Sequence, residues 1–137
     1  MSEASDYVEN QILNCYLNQT NITAPSTIHL GLFTTNPSET DEGSNGGTEV
    51  SGNGYSRVAI TDKFSNASGT GGSLSSNADI TGFTASGGNW GTVQGVGIFD
   101  SASGGELLFW TALENSAIVN DGDSFQISSG NLTVTVA

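Results

Sequence analysis

From Ile28 onward the apolar residues of this chain recur at every second position in short runs, and the runs end in clusters of Gly, Ser and Asn. That pattern suits strands and leaves no room for the intervening helices of a parallel βαβ fold. Ile28, Leu30 and Leu32 alternate with His29, Gly31 and Phe33. Residues 55–61 alternate again, 78–84 carry Ile80 and Phe83, and 92–99 carry Val93, Val96 and Ile98. Residues 106–113 hold Leu107, Leu108, Phe109 and Trp110. Asn120-Asp121-Gly122-Asp123 is a tight-turn signal, and 125–128 with 132–136 are expected to close the chain as a hairpin around Ser129, Gly130 and Asn131. About seven or eight short strands within 27–136 predict a mainly β fold, an antiparallel β-sandwich or jelly-roll-like barrel, as one domain over 1–137. Residues 35–54 and 65–77, rich in Gly, Ser and Asn, are expected to be long loops.

The one helical period lies at 5–18. Ser5 suits an N-cap, and Asp6 and Glu9 place negative charge in the first turn, where the helix dipole favours it. Val8, Ile12 and Tyr16 recur at four-residue spacing with Leu13 and Leu17 beside them, giving one apolar stripe; Asn18 to Asn21 and then Pro25 end the segment. A lone amphipathic helix must bury its stripe, against its own sheet or a neighbouring subunit. Cys15 lies in this segment and reads as a small buried apolar side chain, because a single cysteine makes no internal disulfide.

Charge narrows the function. The chain has 14 Asp and Glu against two basic residues, Arg57 and Lys63, a formal net charge of -12. Phosphate neutralisation needs several Lys or Arg, so neither nucleic acid nor an anionic membrane is an expected partner. The N-terminus has neither the basic nor the apolar region of a signal peptide, and synthesis in the cytoplasm is expected. With so few cations, Arg57 is expected in a buried ion pair within the fold, and it is also a candidate contact.

Catalytic groups are thin. His29 is the sole histidine and lies in an alternating strand, where a structural role is expected. No Gly-x-Ser-x-Gly elbow is present, and Gly69–Gly72 and Gly87–Gly91 lack the Lys and helix start of a phosphate loop. The acids Asp121 and Asp123 belong to a turn, where carboxylates cap the local backbone. Two loops offer oxygen ligands for a structural Ca²⁺: Glu39, Asp41, Glu42, Asn45 and Glu49, and Asn120, Asp121 and Asp123. Neither fits the twelve-residue calcium loop, so a screened acidic surface is expected ahead of a bound ion, and no cofactor is expected. Trp110, in an apolar strand, reads as core; Trp90, between Asn89 and Gly91, reads as an exposed or interface aromatic.

Three stretches carry a family resemblance. His29-Leu-Gly-Leu-Phe-Thr-Thr-Asn-Pro-Ser leads to Gly47-Thr-Glu-Val-Ser-Gly-Asn-Gly-Tyr-Ser-Arg-Val-Ala-Ile. Trp90-Gly-Thr-Val-Gln-Gly-Val-Gly-Ile-Phe-Asp-Ser-Ala-Ser-Gly-Gly-Glu-Leu-Leu-Phe-Trp and Val119-Asn-Asp-Gly-Asp-Ser-Phe follow. Together they resemble small tailed-phage structural proteins often labelled tail fibre proteins, over nearly the whole chain. The resemblance implies an assembled, non-enzymatic role in the virion and brings no catalytic residues. Because the chain lacks the repeats or long shaft segments that would make a fibre by itself, the expected function within the virion is an outer capsid decoration (cement) protein bound to the phage major capsid protein. The alternative is a tail fibre or adaptor subunit, or a glycan-binding module of the tail with Trp90 and the two long loops at its site. A homo-oligomer, most simply a trimer, is expected. The candidate contacts are Val8, Ile12, Tyr16, Arg57 and Trp90.

Overall fold

In the computed structural model, which describes residues 3–38, 47–67 and 71–136, the alternating segments form antiparallel sheets and the N-terminal segment forms a helix. The elements run β1 (Glu3–Ala4), α1 (Asp6–Asn18), β2 (His29–Thr35), β3 (Thr48–Glu49), β4 (Val58–Ala59), β5 (Ser73–Ser75), β6 (Ile80–Thr84), β7 (Gly91–Phe99), β8 (Leu107–Val119), β9 (Ser124–Ile127) and β10 (Thr133–Thr135). A six-stranded sheet has the order β1-β8-β7-β2-β3, with β4 also paired to β2. Two two-stranded sheets, β10-β5 and β6-β9, complete the sandwich. Its sheets do not close into a barrel, and the jelly-roll-like barrel alternative is set aside.

The β2 and β7 alternation explains the layers. Leu30 and Leu32 on β2 and Val93, Val96 and Ile98 on β7 join Ile80, Phe83, Phe125 and Leu132 in the main core. A second, smaller cluster unites Phe33, Phe99 and Leu107, with Trp110 packed against it. Glycine makes room for it: a Cβ on Gly97 would stand 2.6 Å from Phe33 Cε2 and 2.7 Å from Leu107 Cδ1. The missing side chain admits the Phe33 ring, so this glycine serves close packing within a strand.

Ser5 caps the helix as expected. Its Oγ accepts from the Val8 amide at 3.4 Å, its own amide donates to Leu108 O at 2.9 Å, and it is 4% exposed. The far end closes with Gln19 in the left-handed region (φ 48°) and a Thr20 N–H to Asn14 O bond of 3.0 Å. Ser5→Ala orphans one first-turn donor and is expected to cost about 1 kcal/mol, roughly 4 °C in Tm for a domain of this size. Thermal melts followed by circular dichroism check this; an unchanged midpoint would show the cap to be idle.

Several expected boundaries move. The closing hairpin does not form: β9 pairs with β6 (Phe125 opposite Phe83), and β10 pairs with β5 (Val134 opposite Leu74). The Ser129-Gly130-Asn131 turn instead passes the chain between two sheets, held by Gly130 N–H to Ser76 O at 2.8 Å. The expected strand at 55–61 is reduced to Val58–Ala59, and the expected loop at 65–77 contains β5. β8 extends past 113 to Val119 through a wide bulge: Ala112 faces Gly95 and Ala117 faces Val93, so residues 113–116 stand opposite Gln94 alone. The Asn120 turn forms, with Asp123 N–H donating to Asn120 O at 2.9 Å.

Candidate functional site

Two places gather the residues singled out from sequence: a sealed cluster around Arg57 at the edge of β2, and the helix. At the edge of β2, β3 covers Phe33–Thr35 and β4 covers His29 and Leu30. Between them the Leu32 amide would be left without a strand partner, a costly position for a buried donor. Tyr55 fills the gap: its hydroxyl oxygen accepts from Leu32 N–H at 3.0 Å and its hydroxyl donates to Glu49 Oε2 at 2.5 Å. Arg57 grips the same carboxylate with a two-pronged fork, Nε to Oε2 and Nη2 to Oε1, both at 2.8 Å. Its Nη1 donates to Ser101 O at 2.9 Å and Gly104 O at 2.8 Å, and its Cζ lies 3.5 Å from the centre of the Phe99 ring. The buried ion pair expected of Arg57 is therefore present, with side-chain exposures of 7% for Arg57 and 25% for Glu49. Its cation is spent inside the fold, tying β3, β4 and the 100–106 turn together, and the guanidinium is not presented as a surface contact.

Burial pushes the Tyr55 phenol well above the ordinary tyrosine range, and its hydrogen bond to Glu49 and that carboxylate's charge push the same way; the Leu32 amide and Arg57 oppose them. Below about pH 10 both folded and unfolded chains keep the proton, and the contribution to stability is constant. Above it the unfolded chain ionises while the fold retains the neutral phenol, so stability falls with a limiting slope of about 1.4 kcal/mol per pH unit. Urea melts between about pH 8 and 11 are expected to show this slope in the wild type and a shallower one in Tyr55→Phe. Parallel slopes in the two proteins would show that Tyr55 does not drive it.

Trp90 corrects the sequence reading. It is 7% exposed, belongs to the main core, donates from Nε1 to Asn53 O at 2.9 Å and stands edge-on to Tyr55 with centroids 5.4 Å apart. The loop-to-strand junction that suggested exposure is folded over by residues 53–55. Trp110, read as core, is half-buried against the smaller cluster. As a member of the core, Trp90 is not the exposed aromatic that the sequence suggested.

The helix divides its apolar residues between two sides. Val8, Ile12 and Cys15 are half-buried on the side toward β8, and none of the helix is fully buried. Leu13, Tyr16 and Leu17 are 53%, 77% and 75% exposed. Of the expected stripe, Tyr16 therefore faces solvent while Val8 and Ile12 pack inward. Leu13 and Leu17 are the outward residues that the single-stripe reading folded in with the rest; the signal was an apolar arc too wide for one contact.

Elsewhere the polar groups serve the backbone. Asp121 Oδ1 accepts from Gly87 N–H at 3.0 Å, Asp123 Oδ2 from Asn120 N–H at 3.0 Å, Asp100 Oδ1 from Glu106 N–H at 2.8 Å, and Asp79 Oδ1 from Ser129 N–H at 2.8 Å. Of the other proposed Ca²⁺ loop, Glu39, Asp41, Glu42 and Asn45 lie outside the described residues, and Glu49 is held by Arg57 and Tyr55. Among the described residues no three of His, Cys, Asp and Glu gather to hold a metal ion, and no helix is long and apolar enough to cross a membrane. His29 pairs with Phe99 and Ala59 along β2, with its Nδ1 buried and unpartnered among the described residues. A groove of about 450 Å³ with a mixed lining lies between β8, β9 and β10, where Glu114, Asn115 and Gln126 stand beside Leu113, Phe125 and Leu132. An apolar groove of about 440 Å³ lies over Phe64, Leu74, Leu108, Phe109 and Val134.

The model of the family described as podophage GP4 fiber I protein gp80 matches residues 3–135, helix and sheets together. No curated protein matches the chain. The span of the match decides the matter: the chain belongs to this phage fibre family.

Proposed function

We propose that this member of the fiber I family is a non-enzymatic structural subunit of a podophage tail fibre, carried in the virion in several copies and bound to other tail proteins. The observation that carries the reading is the family match over residues 3–135, which takes in both the helix and the sandwich. The chemistry of the fold supports it. Its best-organised polar cluster uses both Glu49 carboxylate oxygens to hold Arg57 and Tyr55, a structural use of the carboxylate. The turn acids accept from backbone amides, a use that builds rigid loops rather than proton-transfer sites.

A second reading, an outer head decoration (cement) protein on the major capsid protein, is favoured by one feature. The described strands all belong to the sandwich, and none extends away from it as a fibre shaft. Nanogold attached through a C-terminal tag, imaged on intact particles, separates the two. Gold on the tail supports the fibre subunit, and gold over the capsid lattice supports decoration. Particles that carry no gold, although the tagged chain is expressed, would overturn the virion role in both forms.

A further inference from the structure

We infer that the outward face of α1, formed by Leu13, Tyr16 and Leu17, is the contact through which copies of this chain associate, helix against helix. The three side chains stand at i, i+3 and i+4 and form one ridge on the side of the helix facing away from β8. They are among the most exposed large apolar residues described, and Ile22, 45% exposed, follows just beyond the helix. Scattered exposed leucines are ordinary, but a continuous ridge on a helix that is otherwise half-docked marks an interaction surface.

Charge identifies the occupant. Copies of a chain with a formal charge of -12 repel one another over most of their surface. Between Glu9 and Glu39 there is no Asp, Glu, Lys or Arg, the longest such stretch in the sequence, and the ridge falls within it. Two acidic copies meet with least repulsion there. The helix's own carboxylates, Asp6 and Glu9, lie in its first turn, N-terminal to the ridge, so a basic partner would gain little over the ridge itself. Helix–helix packing also suits the geometry, since the inward residues Val8, Ile12 and Cys15 hold the helix on β8 while leaving the ridge free. The contact gives a surface to the multi-copy assembly proposed above and rests on that reading for its role in the particle.

The test is sedimentation of the full-length chain from about 1 μM to about 1 mM. The wild type is expected to form a discrete oligomer, tighter at high salt because screening weakens the repulsion between acidic copies. Leu13→Gln/Tyr16→Gln/Leu17→Gln keeps good helix formers and adds no charge. It is expected to weaken association at least about 30-fold with an unchanged circular dichroism spectrum. Leu17→Gln alone should show a smaller loss in the same direction. Ile118→Gln, at a site 68% exposed on β8, is expected to leave association intact. A wild type that stays monomeric throughout, a triple variant that associates as tightly as the wild type, or an equal loss in Ile118→Gln would each overturn the inference. Particle placement is read separately by gold labelling, so failure here leaves the virion role standing.

Discussion

Arg57→Ala is expected to destabilise the fold by about 3–5 kcal/mol, the range for removing one member of a buried ion pair. Four losses coincide. Glu49, with a quarter of its side chain exposed, keeps its charge but loses a bidentate partner. The Ser101 and Gly104 carbonyls lose their donor, which frees the 100–106 turn from β4. Phe99 loses the cation stacked at 3.5 Å. Arg57→Lys restores a charge but neither the fork nor the flat stack, so it is expected to recover only a minor part. Glu49→Gln in the Arg57→Ala background removes the stranded charge and is expected to regain about 1 kcal/mol or more. Urea melts on the three variants measure all of this. A single Arg57→Ala variant within about 1 kcal/mol of wild type would mean that the cluster does not hold the loops together.

Trp90→Ala is expected to be as damaging, about 3–5 kcal/mol, with a midpoint lowered by more than about 10 °C. The indole fills the core beside Tyr55 and satisfies Asn53 O; alanine leaves a cavity and an orphaned carbonyl together. Trp90→Phe keeps most of the volume and loses the hydrogen bond, and about 1–2 kcal/mol is expected. That variant also leaves Trp110, half-buried, as the remaining tryptophan, so acrylamide should quench its fluorescence more efficiently than that of the wild type. A well-folded Trp90→Ala protein with wild-type stability would return this residue to the surface. The same logic bars Trp90→Ala from use as a test of glycan binding, since loss of signal would report unfolding.

Local chemistry was legible in the chain because it acts over a few residues. Ser5 and the Val8-to-Leu17 period place the helix, Asn120 to Asp123 make a turn, and the alternation of Ile28 to Phe33 makes β2, each settled by neighbours in sequence. The scarcity of cations also made the burial of Arg57 foreseeable: with two basic residues on a chain of net charge -12, a guanidinium finds a carboxylate. Which carboxylate was another matter. Glu49 is eight residues away on a separate strand, and only the edge of β2 brings it together with Tyr55 and Arg57.

Strand partnership was decided at the tertiary level. The 125–128 and 132–136 segments look like a hairpin because the turn between them is short, yet Phe125 packs edge-on to Phe83 and Val134 faces Leu74 across more than fifty residues of chain. Turn residues specify a reversal of direction and carry no information on which sheet receives the next strand. The same limit governs the tryptophans: Trp110 has the more apolar neighbours, but exposure depends on which face of a two-sided sheet is covered. Periodicity and charge balance, which are properties of neighbours and sums, already specify a mainly β chain with one capped helix and one committed arginine. The folded chain alone decided which side of the helix stays open, which tryptophan is core and which strands meet, because burial is settled by residues far apart in sequence competing for the same space.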